Sequence, residues 1–295
     1  MPSRALPESC SRPTPLFQGE LFAIEDWRCL GADTPPRHEE WAQDDCVVMT
    51  RRGVWSLAVE GAAQVADPTT VVLWNRGGYR VRHPVGGGDE CTIFRLTAGG
   101  RRTLRAGRAA RGRRPARTFA DRARPVDGPA YLLHRRAFAR AECRYGGDDP
   151  LAVEEPAVEF LRQVTAGSAP AAGLPASTAA RRAVERAHEL ISTDFRQQLT
   201  VSKLARAAGC SPFHLSRLFR GATGMTLHRA VLRRRLREGL EWLLDEPDRV
   251  TTIALALGFA SPSHFTDAFR AEFRCSPTEA RGQLRVHGRR TSPRR

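Results

Sequence analysis

Apolar positions along the chain change their spacing part-way. Between residues 21 and 96 they fall in short runs rich in β-branched and aromatic residues, at 46–49, 54–59, 70–74, 79–82 and 91–96. Turn formers separate these runs: Arg52-Gly53, Glu60-Gly61, Asp67-Pro68, Arg76-Gly77-Gly78 and Gly86-Gly87-Gly88. The pattern predicts short strands of a small antiparallel barrel or sandwich. From residue 129 the spacing lengthens to three and four, which predicts two amphipathic helices. The first covers 129–143 (Tyr131, Leu132, Leu133, Phe138). The second covers 150–164 (Leu151, Val153, Ala157, Phe160, Leu161, Val164) and starts at Asp149-Pro150. Residues 166–177, built of Gly, Pro, Ala and Ser, read as a linker. Residues 1–20 read as a disordered lead-in.

Beyond the linker the pattern is helical throughout. A helix over 178–195 carries the stripe Ala180, Val184, Ala187, His188 and Ile191, and a word then occurs twice. Ser211-Pro212-Phe213-His214-Leu215-Ser216-Arg217-Leu218-Phe219-Arg220 returns as Ser261-Pro262-Ser263-His264-Phe265-Thr266-Asp267-Ala268-Phe269-Arg270. Each copy follows a short apolar helix and a glycine, Gly209 or Gly258. Thr200, Ser211 and Ser261 are expected N-caps, with Pro212 and Pro262 at first helical positions where a missing N–H costs nothing. Helix, glycine turn and second helix make a helix-turn-helix, whose second helix enters the DNA major groove. The connector over 226–245 spans about 30 Å as a helix, close to the ~34 Å of one DNA turn. Two units so spaced suit a monomer that reads two groove segments.

Charge supports this division. Residues 1–98 hold 10 Lys/Arg against 13 Asp/Glu, residues 99–175 hold 15 against 8, and residues 176–295 hold 22 against 11. The half that carries the repeat is therefore the most basic, the footprint of a polyanion binder with salt-sensitive affinity. Eight arginines between Arg101 and Arg117 read mainly as a solvated loop or the start of an arginine-faced helix. On the 226–245 connector, Arg233, Arg234, Arg235 and Arg237 suit phosphate contact and salt bridging to Glu238 or Glu241 equally well. No apolar run spans a bilayer, and the N-terminus lacks the apolar stretch of a signal peptide. Seven cysteines without CxxC spacing argue against a disulfide framework or zinc finger. A cytoplasmic protein with no membrane partner is the resulting expectation.

Spacing also divides the two recognition helices into faces. Leu215, Leu218 and Phe219 suit a core, as do Phe265, Ala268 and Phe269. The complementary face offers Pro212, Phe213, Ser216 and Arg217 as base readers in the first copy, and Pro262, Ser263, Thr266 and Asp267 in the second. Arg217 can fork onto guanine and Phe213 can meet a thymine methyl, whereas Asp267 suits only a cytosine amino group. The first unit is expected to carry more base specificity. Lys203, Arg220 and Arg270 are the expected phosphate contacts.

Residues 178–285 resemble the DNA-binding domain of the AraC/XylS family of bacterial transcription regulators. The first copy carries the resemblance in Ser211, His214-Leu215-Ser216-Arg217, Phe219-Arg220 and Gly224, and the connector in Arg235. The second carries it in Ile253-Ala254, Gly258-Phe259, Ser263-His264-Phe265, Phe269-Arg270, Phe273, Ser276-Pro277 and Arg281. The resemblance implies seven helices, the base-reading positions just named, and promoter DNA as partner, with RNA polymerase beside it and a leaning toward activation. It also implies a cupin-like barrel, here at 21–165 with two trailing helices, that binds an effector or mediates dimerisation through 129–164. The fold class expected is thus α+β and multidomain: the barrel, then an all-α double helix-turn-helix, then a basic tail at 286–295. Three positions depart from the family pattern: Arg274 stands for a usual glycine, Ala280 for a usual aromatic, and Asp267 for an often basic residue.

The input of the N-terminal half is less marked. Trp55, Trp74, Tyr79 and Arg82 are candidates for an effector pocket, although tryptophans such as Trp27, Trp41, Trp55 and Trp74 also serve as core. His38, Glu40 and His83 with Cys29, Cys46 and Cys91 are the candidate metal ligands, but the cupin His-x-His pattern is missing. Neither a metal nor another cofactor is expected, and the protein is read as a regulator rather than an enzyme. The alternative is a metal-dependent cupin enzyme tethered to DNA by its basic tail.

Overall fold

The computed structural model describes residues 13–29, 37–59, 62–83, 87–109, 117–143, 149–166, 177–245 and 250–285. Most of the expected linker, the basic tail at 286–295 and the first twelve residues lie outside them.

The N-terminal region is strand-rich. Its strands are β1 (Thr14–Gln18), β2 (Phe22–Cys29), β3 (Arg37–Ala42), β4 (Cys46–Gly53), β5 (Trp55–Val59), β6 (Ala62–Ala66), β7 (Thr70–Trp74), β8 (Gly77–Arg82) and β9 (Asp89–Leu96), with a short β10 (Ala123–Pro125) further on. The strands pair antiparallel into a six-stranded sheet, ordered β1-β2-β9-β4-β7-β10, and a four-stranded sheet, ordered β3-β8-β5-β6. Among the described residues the two sheets do not join into a closed barrel. The five strand-like runs of the sequence fall on β4, β5, β7, β8 and β9. The lead-in needs correction: Thr14–Gln18 is a strand paired with β2, because Leu16 and Phe17 pack against the core and the Phe17 ring lies 6.0 Å from that of Phe22. Strand β3 (RHEEWA) has no apolar run, since hydrogen bonding to β8 at a sheet edge requires none.

The six-stranded sheet is buried on both faces, which period-two alternation allows. Val48, Val72 and Cys91 face the smaller sheet and meet Trp55, Leu57, Tyr79 and Val81. Val47, Met49, Val71, Leu73 and Phe94 face the other way, onto the helices α2 (Gly128–Glu142) and α3 (Pro150–Ala166). Asp127 caps α2 by accepting from Ala130 N. The first part of the arginine-rich stretch lies in a further helix, α1 (Ala98–Ala109), where Arg101 Nη1 donates to Leu96 O at 2.8 Å and pairs with Asp44 at 3.0 Å; residues 110–116 lie outside the described residues.

The helical region comprises α4 (Thr178–Asp194), α5 (Val201–Ala207), α6 (Pro212–Thr223), α7 (Leu227–Asp245), α8 (Val250–Ala256), α9 (Pro262–Phe273) and α10 (Pro277–Leu284). Its two halves are anchored differently. Helices α4, α5, α6 and the start of α7 enclose their own core of Val184, Ile191, Leu204, Leu215, Phe219 and Leu227. Leu236, Leu240, Ile253, Phe265, Phe269 and Phe273 instead belong to the same hydrophobic cluster as α2, α3 and the outer face of the large sheet. The approach is close at Gly128, where a Cβ would lie 1.9 Å from Glu272 O.

Candidate nucleic-acid interface

Both helix-turn-helix units are built by the same local devices. Thr200 accepts from Lys203 N at the start of α5. Each turn ends its helix in the left-handed conformation, at Gly209 (φ 69°) and Gly258 (φ 77°), which an L side chain rarely adopts. Next to these, Cys210 N donates to Ala205 O at 3.1 Å and Phe259 N to Ala254 O at 3.0 Å, so two otherwise orphaned helix carbonyls are satisfied. Ser211 and Ser261 then accept from His214 N and His264 N, and each is followed by proline at the first helical position. The copies end alike, with a left-handed residue whose N–H reaches back 2.9 Å to Arg220 O or Arg270 O. In the first copy that residue is Gly224; in the second it is Arg274, at φ 63°. The arginine that departs from the family pattern is thus held where glycine sits at no cost.

On α6 the division of faces follows the spacing. Leu215 and Phe219 are buried, while Pro212, Phe213, Ser216, Arg217 and Arg220 are exposed. Phe213 is 91% exposed, a large apolar ring with no place in the core. Arg217 lies within 3.3 Å of His214 Nδ1. On α9, Phe265, Phe269 and Phe273 are buried in a ring ladder with centroids 5.6 and 4.3 Å apart. Ser263, Asp267 and Arg270 are exposed, and Pro262 and Thr266 half-buried. Lys203 is exposed near the start of α5, 3.2 Å from Gln197 Oε1.

The connector arginines are resolved against phosphate. Arg234 Nη1 pairs with Glu238 at 3.0 Å; burial alone would raise the Glu238 carboxyl, but Arg234 and Arg196 hold it below its ordinary value. Arg233 and Arg237 both pair with Glu272 of α9, at 2.9 and 3.0 Å, and both donate to Val126 O. Arg237 is fully buried and faces the Tyr131 and Phe273 rings. Burial, only partly offset by Glu272, lowers its guanidinium to about 10. Arg235 donates to Phe195 O, Gln197 O and Gly258 O, tying the end of α4 to the second turn. Glu241 closes the junction: it pairs with Arg135 at 2.8 Å and accepts from Tyr131 Oη at 3.0 Å, all deep in the interior. Sequence reasoning could not see that α2 supplies these partners.

The first unit also touches the N-terminal region, through α4. Ser192 Oγ donates to Asp67 Oδ2 at 2.6 Å, His188 Nε2 lies 3.1 Å from the same oxygen, and Thr69 donates to Oδ1. Burial would raise the Asp67 carboxyl, but His188 and the hydrogen bonds of Ser192 and Thr69 hold it well below the carboxylate range. Arg82, expected in an effector pocket, pairs with Glu189 of α4 at 3.3 Å. Trp55, Trp74 and Tyr79 fill the space between the sheets, with Trp74 and Tyr79 stacked 4.9 Å apart. A cavity of about 170 Å³ opens between β6, β7, β10 and the first unit. Asp67, Arg124, His188, Phe219 and Met225 are among its walls.

Of the candidate ligands, His38 lies on β3 and Cys46 on β4, whereas Cys29, His83 and Asp89 converge. Asp89 was not singled out in the sequence. Its only local signal is the position opposite Cys29 in the β2–β9 register. No described helix is long and apolar enough to cross a membrane.

A family model described as a helix-turn-helix domain matches residues 204–283. The transcriptional regulator GlxA of Rhizobium meliloti is 38% identical over 93 residues, 32% of this chain and 29% of its own length. The chain thus spans less than a third of that relative. The regulatory protein SoxS of Salmonella typhimurium is 32% identical over 96 residues, 32% of this chain and 90% of its own. A solved transcriptional regulator from Chromobacterium violaceum, with an AraC-type DNA-binding domain, covers 38% of this chain and all of its own at 27% identity, with a TM-score of 0.35. Matching nearly the whole of SoxS with its paired helix-turn-helix units, the chain belongs to the AraC-type family of helix-turn-helix transcription regulators.

Proposed function

We propose that the protein is a sequence-specific regulator that binds double-stranded promoter DNA through α6 and α9, alongside RNA polymerase. The observation that carries this reading is the bare face of α6. Phe213 is held almost wholly in water on a helix fixed at both ends by caps, and an exposed ring of that size suits a docking partner. Phe213 meets a thymine methyl and Arg217 forks onto guanine, with Pro212 and Ser216 alongside. Pro262, Ser263, Thr266 and Asp267 read the second groove with less discrimination, and Lys203, Arg220 and Arg270 hold phosphates. Helix α7 is about 28 Å long, near one DNA turn, which favours successive major grooves on one face.

Residues 178–285 form the reader in this proposal. The strand-rich region with α2 and α3, a cupin-like module in the expected reading, is the sensor, joined by the 166–177 linker. The effector site is assigned to the cavity between β6, β7, β10 and the first unit, because a molecule there touches both sensor and reader. Dimerisation, where it occurs, uses the outer face of α3, where Leu151 and Val158 are exposed. The protein acts in the cytoplasm, as an activator.

Selection of bound duplexes from a random pool, at defined salt, tests the reading. Two half-boxes one helical turn apart are expected. Arg217→Ala relaxes one base position of the stronger box, and Thr266→Ala changes the weaker box less. A pool that stays random, or a preference that survives Arg217→Ala and is abolished by Thr266→Ala, overturns it.

A further inference from the structure

We propose that Cys29, His83 and Asp89 form a divalent transition-metal site, of zinc type, that pins the two sheets of the N-terminal region together at one end. The three come from different places. Cys29 is the last residue of β2 and Asp89 the first of β9, directly opposite each other in the ladder. His83 follows β8, in the other sheet. One ligand atom from each lies within 4.8 Å of the others, and the residues are only 4, 5 and 5% exposed. Asp89 already bonds to the site, with Oδ1 2.7 Å from His83 Nε2 and Oδ2 accepting from Cys91 Sγ at 3.1 Å.

The donor set selects the ion. Thiolate, imidazole and carboxylate together suit zinc and similar borderline metals rather than calcium or magnesium, which require oxygen. Tetrahedral bonds of roughly 2.0–2.3 Å set donor atoms about 3.5 Å apart, so the wider separations close by on the order of one ångström, while the 2.7 Å His83 Nε2–Asp89 Oδ1 contact opens as its proton moves to Nδ1 and the ion takes its place. Cys29 binds as thiolate, its proton passing to solvent, and a water fills the fourth position. Cys91 stays hydrogen-bonded to Asp89 and orients the carboxylate, as such outer partners do. The same three groups could in principle form a nucleophilic triad, but their burial leaves a substrate no approach, whereas an ion needs none.

A purpose follows from position. The hydrogen-bonded ladders run within each sheet, so at this end a metal bridge would strengthen the link that the His83–Asp89 contact already makes between the sheets.

The test uses the full-length protein, stripped with chelator and titrated first with Co²⁺ and then with Zn²⁺. One Co²⁺ per chain is expected, with thiolate-to-cobalt charge-transfer absorption that one equivalent of Zn²⁺ abolishes, and zinc raises the melting temperature. In Cys29→Ser the charge-transfer band disappears. His83→Gln and Asp89→Asn lose at least about tenfold in affinity, with circular dichroism confirming that they fold. Cys210→Ser and Cys275→Ser, both far from the site in the helical region, keep the full signal. Wild-type protein that shows no charge-transfer band overturns the proposal, whether or not any variant folds. So does a band that survives Cys29→Ser.

Discussion

The two helix-turn-helix units share caps, turns and helix lengths, yet they are held by different neighbours. The first keeps a private, largely aliphatic core and meets the N-terminal region mainly through polar contacts centred on Asp67 and Glu189. The second has an aromatic core continuous with α2, α3 and the large sheet, sealed by Arg135, Arg233, Arg237, Glu241 and Glu272. Near-identical local structure thus serves a separable reader in one copy and a fixed one in the other. Local unfolding follows cooperative cores, so the first unit is the one free to move with respect to the N-terminal region.

The strongest way to break this contrast is to cut an equivalent ring from each copy. Phe219→Ala and Phe269→Ala should each cost about 3–5 kcal/mol. By hydrogen exchange, Phe219→Ala should release only α4–α6, whereas Phe269→Ala should also release α2, α3 and the sheet. Equal spread from both variants would mean that the cores are not distinct. Glu241→Gln should cost nearly as much, about 3–5 kcal/mol, because the buried Arg135 guanidinium loses its charge partner; chemical denaturation measures this.

Smaller effects probe the polar attachment of the first unit. The Asp67 carboxyl is held below its ordinary value in the folded protein, so its contribution is complete at neutral pH. It is lost as the pH falls below the carboxylate range of the unfolded chain. The difference in melting temperature between wild type and Asp67→Asn should therefore shrink on acidification, and a difference that grows in acid would reverse the assignment. Arg274→Gly should stabilise the second unit by about 1 kcal/mol by relieving the left-handed conformation. The same change at a position with ordinary φ would destabilise. Phe213→Ala should leave stability within about 0.5 kcal/mol, and its effect should fall on DNA affinity alone, measured by fluorescence anisotropy.

Much of the reader was legible because its signals are local. A Ser before Pro, a glycine after an apolar helix and a three-to-four spacing each act within a few residues, so Thr200, Ser211, Ser261, Gly209 and Gly258 could be placed from sequence. The questions that the sequence left open share one cause. Whether Arg237 meets a phosphate or Glu272, and whether Trp55 lines a pocket or fills the space between sheets, depends on residues far along the chain. Strands such as β1 and β3 were missed because edge pairing leaves only a weak apolar signature.

By itself, then, the sequence determined the paired helix-turn-helix, its caps and the face that Phe213 and Arg217 present, since each depends on hydrogen bonds and burial within one or two helical turns. Only the tertiary structure decided that the second unit shares a core with α2 and α3, that the connector arginines are internal, and that Cys29, His83 and Asp89 meet. Those outcomes require segments distant in the chain to pack together, and the cost of bringing them together is met by burial and charge pairing that no local pattern records.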